Sequence, residues 1–97
     1  KTSVLSGQAF IQANQTDKAI EVLQAAIHTY KDDKELVPQA MYWCADAYTR
    51  KKDLIAAYRM FKNLEWDYPA SIWAKYARGR LSSEAMQKIA EQAMSTE

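Results

Sequence analysis

The stretch Met41 to Pro69, MYWCADAYTRKKDLIAAYRMFKNLEWDYP, sets narrow terms for the whole chain. Met41, Cys44, Ala45 and Tyr48 fall at i, i+3, i+4 and i+7, which places them on one face of a helix. Ala57, Phe61 and Leu64 do the same on a second helix, and the polar turn KKD lies between. Two antiparallel helices approach closely only where small residues oppose large ones, so Ala45 and Ala57 are the expected contact points for Tyr48 and Phe61. Pro69 lacks an N–H and drives Tyr68 toward an extended conformation, which ends the second helix and redirects the chain.

The pattern recurs. Gly7, Phe10, Ala19 and Leu23 stand 38 positions before Ala45, Tyr48, Ala57 and Phe61. Four positions sharing one offset make an internal repeat, with the segment DDKELV, Asp32 to Val37, as an inter-repeat loop or extra turn. Asn14 occupies the first turn, where a left-handed residue is wanted and Asn tolerates it. Lys52 holds the equivalent place and has no such tolerance, so that turn is expected to be strained or differently built.

Breakers are scarce, with two Gly and two Pro in 97 residues, and no segment alternates at period two. An all-α fold in a single small domain is therefore expected. A net charge of +1 creates no global field for nucleic acid or anionic lipid. No window approaches the ~18 apolar residues of a membrane span. One cysteine excludes an internal disulfide. The chain opens on Lys1 with no signal peptide in view, and is expected to be a piece of a longer protein.

In order along the chain, Thr16 or Asp17 is the expected cap of a helix whose apolar face is Ala19, Ile20, Leu23, Ala26, Ile27 and Tyr30. Pro38 suits the first position of the third helix, Asp53 the cap of the fourth and Ser71 the cap of the fifth. In that fifth helix Trp73, Tyr76, Ala77 and Leu81 form the expected buried face. Gly79 lies 34 positions beyond Ala45, which marks the helix as the start of a third repeat. Ser82 and Ser83 predict a break before a last helix carrying Ala85, Met86, Ile89, Ala90 and Ala93. The alternative is one unbroken helix, since Trp73, Ala77, Leu81, Ala85 and Ile89 run at intervals of four.

Residues with chemical potential read mostly as structural. His28 has no partners at ligand spacing, and Cys44 faces inward among core positions, so no catalytic, metal or cofactor site is expected. The basic run Arg50, Lys51 and Lys52 complements a helix C-terminus. Trp43 and Trp66 lie off the positions each hairpin needs, and either pack between repeats or stand exposed as anchors for a partner.

The skeleton Met41, Cys44, Ala45, Tyr48, Ala57, Phe61 and Pro69 resembles the tetratricopeptide repeat, whose usual period is about 34 residues. Tyr48, Ala57, Phe61 and Pro69 match that family outright; Met41, Cys44 and Ala45 stand where it usually has Trp, Leu and Gly. The endings HTYKDDKELVPQAMYW and LEWDYPASIWAKYARGRL resemble bacterial cell-envelope members, of the outer-membrane assembly lipoprotein or Tol-Pal-associated periplasmic coordinator type. The resemblance implies a right-handed stack of antiparallel helix pairs: repeat one over 1–36, repeat two over 37–70, and a partial third repeat or cap over 71–97. It implies a non-enzymatic scaffold whose concave groove takes a peptide, helix or partner domain, in the periplasm or envelope, with self-association through the ends of the stack as a further expectation. The groove positions carried over are Val4, Gln8, Ile11, Gln39, Tyr42, Asp46, Arg50, Tyr76 and Arg80. Chaperone-binding members clamp a carboxylate with Lys and Asn, where this chain has Val4, Gln8 and Asp46. The alternative function is a regulatory or oligomerising segment of a larger enzyme.

Overall fold

In the computed structural model the backbone is described for residues 2–95 and the side chains for residues 4–92. Every regular element among them is a helix: α1 (Thr2–Gln12), α2 (Thr16–Thr29), α3 (Leu36–Arg50), α4 (Leu54–Asp67), α5 (Ile72–Leu81) and α6 (Glu84–Ser95). The break at Ser82 and Ser83 is present, so the unbroken alternative is excluded, and Ala93 of the expected apolar face falls outside the described side chains.

Consecutive helices pack on one another, α3 also touches α1 and α5, and α6 packs against α4 more than against α5. Helix α3 is the spine. Its buried residues run nearly all round it, from Leu36 to Ala47, because it belongs to two cores. Ala40, Cys44 and Ala47 join Val4, Ile11, Ala19, Leu23 and Ala26 of α1 and α2. Val37, Met41 and Ala45 join Ala57, Phe61 and Leu64 of α4, Ala77 of α5 and Met86 of α6. Tyr48 borders both, and its hydroxyl accepts a 2.6 Å hydrogen bond from Gln24 Nε2 of α2.

The two tight turns are built alike. Asn14 and Lys52 have φ of 63° and 70°. After α1, Gln15 N–H reaches Phe10 O and Asn14 N–H reaches Ile11 O; after α3, Asp53 N–H reaches Tyr48 O and Lys52 N–H reaches Thr49 O. Both are Schellman endings, which satisfy the last carbonyls through one left-handed residue. Lys52 therefore adopts the strained alternative, at a cost of about 1 kcal/mol for its Cβ. No such residue follows α5, where Ser82 and Ser83 bond back to Arg78 and Arg80 without a left-handed step. That difference in turn chemistry accompanies the divergence of α6 onto α4.

Capping follows the sequence in part. Asp53 accepts from Ala56 N–H at 3.3 Å and Ser71 from Ala74 N–H at 3.0 Å. Neither Thr16 nor Asp17 caps α2; the N-cap is Gln15, with no side-chain bond, and Thr16 is already helical. Helix α3 begins at Leu36, two residues before Pro38, because the Asp33 carboxylate accepts the N–H groups of Glu35 and Leu36 and so starts the helix early. Tyr30 and Tyr76, expected on buried faces, are 46% and 44% exposed. Tyr30 is already past the end of α2, and on α5 the small Ala74 takes the inward position beside Ala77.

The two glycines separate cleanly. A Cβ on Gly7 would lie 2.6 Å from Cγ and Cδ2 of Leu23, a side chain with no exposed surface. A Cβ on Gly79 would meet nothing within 4 Å. Gly79→Ala is expected to raise stability by about 0.5–1 kcal/mol, the ordinary gain of alanine in a helix. Gly7→Ala gains the same propensity, but overpacking at about 1–3 kcal/mol outweighs it. Urea melts of the two variants should fall on opposite sides of the parent.

Candidate functional site

The surface shared by α3 and α5 carries the densest set of polar and aromatic contacts. Helical spacing puts Tyr42, Asp46 and Arg50 in one row on α3, and Trp73, Tyr76 and Arg80 in a facing row on α5. Asp46 is the buried charged residue, only 6% exposed, and both its oxygens are occupied. Oδ2 accepts from Arg50 Nε and Oδ1 from Arg80 Nη1, each at 2.8 Å. The same Arg80 nitrogen donates to the Tyr42 hydroxyl at 3.3 Å. Its guanidinium lies over the rings of Phe61 and Tyr42, 5.4 and 5.9 Å from their centroids, a cation–π arrangement that holds it in place. Burial works against the charge on Arg80, but the hydrogen bonds to Asp46 and Tyr42 outweigh it, and its pKa is held above the ordinary value.

Around this charge network the rings form a continuous cluster. Tyr42 meets Trp43, Trp73 and Tyr76 with centroids 5.3, 5.4 and 6.0 Å apart, and Trp73 lies 6.3 Å from Trp43 and 5.5 Å from Tyr76. Edge and tilted geometries of this kind suit the ring quadrupoles. The cluster is not sealed: Tyr42, Trp43 and Trp73 are half-buried and Tyr76 is exposed. The indole N–H of Trp43 is buried with no acceptor among the described residues, and the ring packs against the core formed by α1, α2 and α3.

Of the nine groove positions read from the sequence, five come together here: Tyr42, Asp46, Arg50, Tyr76 and Arg80. Gln8 and Gln39 are half-buried on α1 and α3. Gln39 lines a separate recess of about 270 Å³ with Val4, Leu5, Asp33, Glu35 and Leu36. Val4 and Ile11 are corrected: at 1% and 4% exposed they are core residues beneath α2 and α3, because the α1 face assigned to a partner is used by the protein itself. Asp46 and Arg80 are also more internal than a groove lining requires, since each is the other's partner. Of the two open tryptophans, Trp43 packs between helices, whereas Trp66 is 85% exposed at the end of α4.

Sequence reasoning did not pair Asp46 with Arg80, although the signal was there: the two stand 34 residues apart, the interval between Ala45 and Gly79. Cys44 is fully buried, and desolvation pushes its thiol up to about 12, so it is held as the neutral thiol. His28 is exposed on α2. Among the described residues no group of three His, Cys, Asp or Glu could hold a metal ion, and no helix is long and apolar enough to cross a membrane.

These features define an all-helical chain with an aromatic, guanidinium-bearing surface between two helices. No family model, curated protein or solved structure matches it.

Proposed function

We propose that this chain is a non-enzymatic protein-binding module built of tetratricopeptide-type repeats, wound as a right-handed stack, that takes a peptide, helix or partner domain on the α1, α3 and α5 side. The repeat reading is supported by the matching Schellman turns at Asn14 and Lys52 and by the small residues Gly7 and Ala45 at equivalent places in α1 and α3. The binding reading rests on one observation: the partly exposed ring cluster Tyr42, Trp73 and Tyr76, edged by the 57% exposed Arg50 side chain. Aromatic groups lose little conformational entropy on binding, and Tyr, Trp and Arg dominate the energetics of such contacts. Two guanidinium groups share one carboxylate here, so the surface favours a segment that joins an apolar side chain to an acidic one. The setting in a bacterial envelope protein rests on the resemblance of the repeat endings alone.

Peptides selected from a random displayed library against the folded chain test this reading. Binding is expected to weaken by about tenfold or more in Tyr76→Ser and in Arg50→Glu, and to be unchanged in Trp66→Ser, whose ring lies away from the cluster. Tyr76 and Arg50 are both exposed, and because Arg50→Glu sets a second carboxylate beside Asp46, each variant is melted against the parent before titration. Selected peptides indifferent to both substitutions would place the interface elsewhere.

A further inference from the structure

Two of the odd-numbered helices are closed by a following helix at a small residue. On α1, Gly7 receives Leu23 of α2 so closely that a Cβ would collide with it at 2.6 Å. On α3, Ala45, 38 positions on, is fully buried with Ala57 and Phe61 of α4. On α5 the corresponding residue is Gly79, 34 positions after Ala45, and it meets nothing. Lys75 and Arg78 stand where α3 has Met41 and Cys44, and both are exposed without a side-chain partner among the described residues. Helix α6 does not occupy the place, because it leaves α5 without a left-handed turn and buries Met86 in the α4 core.

We propose that this open face of α5 docks an acidic amphipathic helix from a partner protein. The shape of the occupant is given by the two filled places in the same molecule: a helix that sets a bulky apolar side chain over the small residue, as Leu23 is set over Gly7. Glycine permits the same close approach at position 79. Ile72, 56% exposed and about two turns along the same side, extends the apolar contact. The charge of the occupant follows from α5, which carries Lys75, Arg78 and Arg80 and no acidic residue. Arg80 is taken by Asp46, and Glu84 at the start of α6 lies 3.9 Å from Lys88, so Lys75 and Arg78 are left to attract carboxylates from outside. This face adjoins the ring cluster, since Tyr76 lies between Ile72 and Gly79 on α5, but Lys75, Arg78 and Gly79 belong to it alone.

The test is fluorescence anisotropy with a labelled synthetic helix bearing leucines at i, i+3, i+4 and i+7 and glutamates on both flanks, beside its lysine-for-glutamate counterpart. The acidic peptide is expected to bind at least about tenfold more tightly than the basic one, and less tightly as salt is raised. Gly79→Leu fills the place, and Lys75→Glu with Arg78→Glu reverses its charge. Each is expected to weaken the acidic peptide by about tenfold or more, whereas Trp66→Ser, 85% exposed at the end of α4, leaves it unchanged. All substituted side chains are exposed, and circular dichroism confirms that each variant is folded before titration. Equal affinity for the two peptides, no binding of either, or indifference to Gly79→Leu overturns the proposal.

Discussion

Phe61→Ala is expected to lower the unfolding free energy by about 3–5 kcal/mol. Phe61 has no exposed surface and packs among Val37, Met41, Ala45, Ala57, Leu64, Ala77 and Met86, which come from four of the six helices. A cavity at that point has rigid helix walls on every side and closes only partly, so the penalty exceeds the transfer free energy of the lost carbons. The ring also supports the surface chemistry, since it lies 5.9 Å from Tyr42 and 5.4 Å from the Arg80 guanidinium. The variant should therefore lose order in the α3–α5 ring cluster as well as stability, visible as a change in tryptophan fluorescence below the unfolding transition. Domains of this size are stable by about 5–15 kcal/mol, so the loss is a large part of the total. Trp66→Ala is the matched control: a larger aromatic side chain, 85% exposed, whose removal is expected to stay within about 0.5 kcal/mol. Urea melts giving similar losses for both would contradict the packing.

Asp46→Ala is expected to cost about 2–3 kcal/mol, nearly all of it through Arg80. Both arginines lose a 2.8 Å partner, but their surroundings differ. Arg50 is 57% exposed and regains water, whereas Arg80 is 33% exposed and held between rings, so its charge is left poorly compensated. The figure falls below the range for a fully buried broken pair because solvent still reaches part of the guanidinium. A double-mutant cycle separates the two contributions. Asp46 with Arg80→Met should show a coupling above about 1 kcal/mol, and Asp46 with Arg50→Ala a few tenths, the usual value of an exposed i, i+4 pair. Equal couplings would mean that Arg80 gains nothing from its aromatic enclosure.

The same pair shows why the candidate surface was harder to read than the fold. Tyr42, Asp46, Arg50, Tyr76 and Arg80 were all legible as one stripe, because residues four apart share a helix face whatever the helix packs against. Whether that stripe meets solvent or a neighbouring helix is not a property of spacing. Asp46 and Arg80 are ordinary surface residues by composition, and they became internal because α5 lies against α3 with their side chains at contact distance. Val4 and Ile11 failed for the same reason in reverse: the α1 face offered to a partner is already covered by α2 and α3.

What the sequence determined alone is the first four helices, the break at Pro69, the caps at Asp53 and Ser71, the left-handed turn at Asn14 and the inward course of Cys44, Ala57 and Phe61, while the break at Ser82 was one of two readings it left open. Each depends on residues within a turn or two of one another, where spacing and hydrogen-bonding groups are enough to decide the outcome. The tertiary structure decided the destination of α6 and the union of Asp46 with Arg80 across 34 residues. Those outcomes depend on which buried surface wins when several helices compete for it, and Met86 gains more by entering the α4 core than α6 would by lying along Lys75 and Arg78.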